Sequence, residues 1–199
     1  MRSVISLACL SLIGLSGGCT SATDGWPLGK NQSMAWNVDP VIPRAVRAPT
    51  GHVLLGHLTG RGTATFTLQA DPRDANRLIW VMTDDHGGEL LDDTGNVVAH
   101  RDGTHWAAEN GQRLTTEPVA SVSRPGHVPW VLYRTSGAES GGLFGGTQFV
   151  EQIHTIGGPR RSTSQEAGAQ MQAEYTADYY FYGPIAAQTR LERGANYSL

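Results

Sequence analysis

Cysteine is nearly absent from this chain: there are two in 199 residues, Cys9 and Cys19, both close to the N-terminus. That distribution excludes a disulfide-dense scaffold, so the fold has to rest on a packed core, which a chain of this length can bury as one domain. Charge is scarce as well, at 17% of residues, and its balance is acidic, with 18 Asp and Glu against 15 Lys and Arg. A formal charge of −3 leaves no basic footprint for a phosphate backbone, so nucleic acid is set aside as a partner. No apolar run reaches the length of about 20 residues that a membrane-spanning helix needs. No HExxH, CxxC, GxGxxG or phosphate-loop pattern occurs, which removes the usual signatures of zinc and nucleotide chemistry. What the chain has in abundance is glycine, 25 residues, with 10 prolines, a composition that suits many short strands joined by turns.

The N-terminus has the parts of an export signal: Arg2, an apolar run over 4–15, and the small residues Ser16, Gly17 and Gly18 before Cys19. LSGGC resembles a bacterial lipoprotein signal, in which the cysteine is lipidated and becomes the new N-terminus. The pattern departs at Ser16, where the family prefers leucine. Lipidation at Cys19 would leave no second cysteine in the mature chain. Thr20 is not the aspartate that usually retains lipoproteins in the inner membrane, so the resemblance implies a lipid anchor in the outer membrane facing the periplasm. The expected organisation is a removed signal over 1–18, a lipidated N-terminus and tether over 19–50, a β-domain over 51–184 and a tail over 185–199. Pro27, Pro40, Pro43 and Pro49 punctuate the tether, while Trp26 and Trp36 suit docking on the domain.

Along the domain, period-2 alternation and turn residues predict strands. They fall over 52–58, 63–70, 78–82, 89–91, 97–99, 104–107, 113–122, 129–135 and 148–156, with a last one over 174–183. In 63–70 Ala64, Phe66, Leu68 and Ala70 alternate with Thr63, Thr65, Thr67 and Gln69, as in a sheet with one wet face. In EYTADYYFYG, 174–183, Tyr175, Ala177, Tyr179 and Phe181 share one face and Thr176, Asp178, Tyr180 and Tyr182 the other. The first face suits a core, the second a groove or a contact. Residues 160–172 are polar and could hold a short helix. The predicted class is all-β: one antiparallel sandwich or barrel of about ten short strands.

Seven histidines invite a metal hypothesis, but His100 and His105 would point to opposite faces of a strand and no paired ligand spacing appears. No metal and no cofactor is expected. AESGG at 138–142 is similar to the sequence around a trypsin-like nucleophile, yet no histidine or aspartate signature accompanies it, and a flexible loop accounts for it. Adjacent acids at Asp84 and Asp85, and at Asp92 and Asp93, read as solvated turn residues. Trp106, Tyr180 and Tyr182 combine aromatic bodies with polar tips, suited to a carbohydrate platform or to edge packing.

Over about 51–184 the chain resembles a bacterial and fungal family known as domain of unknown function 3455. The resemblance is carried by GNVVAH with Gly103 and Trp106, VPWVLY at 128–133, SGAESGGLF at 136–144, FVEQIHTIGG ending at Gly158, and YTADYYFY at 175–182. It implies export and a single domain and no particular activity. Family members often carry one cysteine where this chain has Leu68 and another near Ser162, so the resemblance implies that a disulfide found elsewhere is missing here. Members also commonly have an acid after the tryptophan, where this chain has Ala107.

Two functional expectations follow. The first is a non-enzymatic lipoprotein that binds a small molecule, glycan or protein through His100, Trp106, His154, Asp178, Tyr180 and Tyr182. The second is a hydrolase or related enzyme with His100 or His154 as base and Asp178 as its orienting or acidic partner. An enzyme needs these groups to converge in one cleft.

Overall fold

A computed structural model describes residues 42–136, 141–159 and 166–186. Cys19, Trp26, Trp36, most of AESGG, residues 160–165 and most of the tail lie outside the described residues. Eight strands follow one another: β1 (His52–Asp71), β2 (Asp74–Leu91), β3 (Val97–Asp102), β4 (His105–Ala108), β5 (Arg113–Val122), β6 (Trp130–Thr135), β7 (Phe149–Gly157) and β8 (Gln170–Pro184). Each pairs antiparallel with its neighbours in sequence, and β8 returns to pair with β1, closing a barrel. Eight strands enclose an interior that side chains can fill or that can hold one small ligand. Among the described residues no helix is long and apolar enough to cross a membrane.

The expected strands over 52–58 and 63–70 are halves of β1, and those over 78–82 and 89–91 are halves of β2. The glycines between the halves of β1 are not turn residues but points of close approach. A Cβ on Gly60 would lie 2.3 Å from the Tyr179 ring, and one on Gly62 would lie 2.0 Å from the carbonyl oxygen of Gly87. The polar stretch read as a possible helix ends in strand, since β8 already begins at Gln170.

Alternation fills the interior as the pleat requires. Ala64, Phe66 and Leu68 of β1 and Tyr175, Ala177, Tyr179 and Phe181 of β8 are buried, while Ala70 near the hairpin tip is exposed. In one half of the barrel Leu58, Leu90, Leu114 and Val150 close around Trp106 and Phe181. Phe144, from the connection between β6 and β7, seals that end, with its ring centroid 5.7 Å from Phe181 and 6.5 Å from Trp106. The buried indole donates from Nε1 to the Thr116 hydroxyl at 3.0 Å.

A second, smaller cluster lies outside the barrel. Ile42, just before a single 3-10 turn, Arg44–Val46, and Val46 within it pack on Trp130, Leu132 and Ile153, outward residues of β6 and β7. The amide of Ala48 donates to Glu151 Oε1 at 2.5 Å. Residues 42–50, read as the end of a tether, are therefore docked against the barrel wall.

Candidate functional site

The other half of the barrel is open. A chamber of about 1610 Å³ enters between the tip of the β1–β2 hairpin, the connection from β5 to β6, and Pro159. Its volume exceeds the roughly 300–1,000 Å³ of ordinary small-molecule sites because the mouth is wide. Phe66 and Leu68 from β1, Trp80 and Met82 from β2, and Val131 from β6 form apolar walls. Strands β3 and β4 are only 6 and 4 residues long, so Gly103 and Thr104 in the turn between them reach the chamber where the longer strands run past.

Arg101 and Asp85 lie at the junction of the two halves. Arg101 faces inward because it shares a pleat face with Ala99, and its cross-strand neighbour is Trp106. Asp85 is brought inward by irregularity in β2. The register jumps from Thr63 opposite Gly87 to Ala64 opposite Asp85, leaving His86 as an extra residue. A second jump leaves Thr83 extra, so that Met82 again faces inward, opposite Phe66. Each one-residue insertion flips the face on which the next side chain lies. Gly87, at φ 65, accepts the bend, and a Cβ there would lie 2.1 Å from the carbonyl oxygen of Arg101.

The guanidinium binds five groups. Arg101 Nη2 donates to Asp85 Oδ2 at 2.5 Å and to the Tyr133 hydroxyl at 2.9 Å. Nη1 donates to the hydroxyls of Tyr175 at 2.9 Å and Tyr179 at 3.3 Å. The Tyr175 hydroxyl in turn donates to Asp85 Oδ1 at 2.8 Å, and the face of Trp106 lies 5.2 Å from the guanidinium carbon. The Nε of Arg101 is buried without a partner. Burial opposes the charge of Arg101, but the tyrosine oxygens and Asp85 around it raise its pKa well above the usual value. Burial likewise pushes the hydroxyls of Tyr133, Tyr175 and Tyr179 up, so all three stay protonated. A buried ion pair with this many hydrogen bonds keeps its charges, because leaving either one alone costs more than the pair.

The sequence-predicted residues occupy three separate places. Trp106 is 1% exposed and belongs to the core. His100 is on the outer surface, where its Nε2 lies 3.0 Å from Glu109 Oε1. His154 and Asp178 do meet, with His154 Nδ1 2.9 Å from Asp178 Oδ2 on the outer face of β7 and β8. The other carboxylate oxygen lies 3.3 Å from His57 Nε2, and Tyr180 stacks beside His57 with ring centroids 4.6 Å apart. Tyr182 reaches Glu151 Oε2 at 3.4 Å. Burial would raise the pKa of Asp178, but hydrogen bonds from His57 and His154 outweigh it and hold the carboxylate below its usual range. For His57 burial works against protonation, and the contacts with Asp178 and Asp93 override it to raise the ring above its usual value. His154 stands at φ 51 in the irregularity of β7 between Ile153 and Ile156, a conformation His tolerates better than most residues.

His100 and Trp106 thus do not join the His154–Asp178 pair in one cleft, and neither described cavity is lined by His154 or Asp178. Among the described residues no group of three or more His, Cys, Asp or Glu side chains is placed to hold a metal ion. Sequence reasoning overlooked Arg101, Tyr133 and the chamber wall, and Asp85, read as a solvated turn acid, is instead a largely buried strand residue paired with Arg101. The one available signal was the alternation of Ala99 with Arg101, which puts an arginine on an apolar face.

Residues 89–183 match the model of a family described as protein of unknown function (DUF3455), so the chain resembles that family over this stretch. The match includes Arg101, Tyr133, Tyr175 and Tyr179 and stops short of Asp85 and the β1–β2 hairpin that walls the chamber. No curated protein and no solved structure matches the chain.

Proposed function

We propose that this protein is an exported, lipid-anchored barrel that binds a small apolar molecule in its open half without transforming it. The observation that carries the reading is the chamber itself: apolar walls over a floor whose charges are already paired. Such a floor is rigid and polar, as a specific ligand site needs, with its tyrosine hydroxyls already spent on Arg101 and Asp85. The anchor is supported by LSGGC ending at Cys19, and an outer-membrane position facing the periplasm by Thr20.

The outward face of β8, with Asp178, Tyr180 and Tyr182, is the weaker candidate for a glycan or protein partner. Tyr180 is taken up by His57, and Tyr182 by Glu151. The hydrolase alternative has its His154–Asp178 pair, but the pair sits outside any described cavity, which weighs against it.

The test uses a neutral, polarity-sensitive dye such as Nile red on the purified chain. Saturable fluorescence enhancement is expected, and a variant that fills the chamber, Leu68→Phe with Met82→Trp, should lose it while melting normally. Equal enhancement by the folded filled variant would overturn the reading.

A further inference from the structure

Resting on that reading of the chamber, we infer that its ligand is an anionic amphiphile: an alkyl or aryl tail in the chamber and an acid head held by the arginines of the rim. The charge around the chamber runs opposite to that of the molecule. Arg73, Arg77, Arg101 and Arg124 line it against Asp71 and Asp85, in a chain whose acids outnumber its Lys and Arg. Arg101 is already matched by Asp85 at the floor, so the excess belongs to the mouth.

The position of each group decides which end of the ligand goes where. An acid placed at the floor would face the Asp85 carboxylate and compete with it for Arg101, so the floor rejects a second anion. Above the floor Phe66, Leu68, Trp80, Met82 and Val131 offer no ionic partner, and a tail fits there. Arg124 also borders the chamber, but its guanidinium stacks 4.3 Å from the centre of the outward-facing Trp130 ring, so the rim charge that faces the chamber rests on the hairpin arginines. Arg77 meets Asp71 only at 4.0 Å, the limit of an ion pair, and Arg73 projects from the hairpin tip beside it. A carboxylate, sulfate or phosphate head emerging from the chamber would complete these arginines, and a cationic head would be repelled.

Three amphiphiles with the same tail separate charge from tail binding: laurate, lauryl alcohol and lauryltrimethylammonium, titrated below their micelle concentrations by displacement of the neutral dye. Laurate is expected to bind on the order of tenfold more tightly than the alcohol, and the cation more weakly still, with the gap narrowing as salt is added. Arg73→Glu with Arg77→Glu, both exposed positions, should erase the preference for laurate over the alcohol. Equal binding of laurate and the cation, or a preference that survives the double variant, would overturn the inference while leaving the chamber as a binding site. Displacement by phosphatidylglycerol vesicles but not by soluble laurate would overturn it too, because it would assign the rim to a membrane surface. If neither dye nor any amphiphile binds, the reading of the chamber fails with it.

Discussion

The two halves of the barrel are made by the same strands and end in opposite ways. In the closed half, rings from β4, β8 and the β6–β7 connection meet at the axis: Trp106, Phe181, Tyr179 and Phe144 are each buried to within 2% of complete. In the open half large apolar side chains line the wall without meeting at the axis. Ala64 and Ala173 lie opposite each other on β1 and β8, and β3 and β4 have ended before that level. Trp80 and Met82 then pack against the core on one side only. The lesson is that the chamber arises from unequal strand length, with a tall β1–β2 hairpin standing over short strands, and not from a gap in an otherwise filled barrel. The Arg101–Asp85 layer marks the level at which the interior changes from filled to empty.

The most severe way to break this comparison is to remove a ring from the filled half. Phe181→Ala should cost about 3–5 kcal/mol, because the truncation opens a cavity that its neighbours cannot close. Thermal or denaturant melts measure it. A loss below about 1 kcal/mol would mean that the closed half is not the stabilising one.

The boundary layer should respond nearly as strongly, and in a diagnostic way. Arg101→Met leaves Asp85 buried without its cation and should cost about 3–5 kcal/mol, whereas Arg101→Met combined with Asp85→Leu should recover much of the loss. Failure of the double variant to recover would show that the tyrosine hydroxyls, and not the charge pair, hold the layer together.

In the open half the same kind of truncation should be cheap. Trp80→Ala should cost about 1 kcal/mol or less, since part of its ring already faces solvent, while reducing dye binding. A cost equal to that of Phe181→Ala would erase the distinction between the halves.

A comparably small effect is expected on the outer face. Asp178, held below its usual range, contributes stability above the ordinary carboxylate pKa that is lost as pH falls through its lowered value. His57, held above its usual range, contributes below the ordinary histidine pKa, and this is lost as pH rises through its raised value. Asp178→Asn should therefore cost about 1 kcal/mol between those limits and flatten the pH profile of the melting temperature. If it destabilises as much as Phe181→Ala, the outer carboxylate is part of the scaffold.

Strand identity was legible where the chain alternates without interruption. The alternation of β8 placed Tyr175, Ala177, Tyr179 and Phe181 inside and Asp178 outside, and β5 runs over the expected 113–122. Glycine misled where it marks close approach instead of a turn, as at Gly60 and Gly62, and so β1 and β2 were each read as two strands. Asp85 was illegible for a different reason. Simple alternation from Leu90 carries it to the outer face, and only the register with β1 reveals the extra residue that turns it inward. Trp106 was read as a polar-tipped ring suited to a carbohydrate platform or to edge packing, but its pairing with Arg101 on a closed wall commits it to the core. The chamber depends on which strands are short and which edges meet, and neither property is local.

The central claim is that the open half holds a small molecule. Native mass spectrometry of the chain purified without detergent tests it most directly, comparing the wild type with the Leu68→Phe, Met82→Trp variant. The account predicts an added mass on the wild type, released on unfolding as an apolar organic acid and missing from the filled variant. The same added mass on both proteins, or none on either, would contradict it.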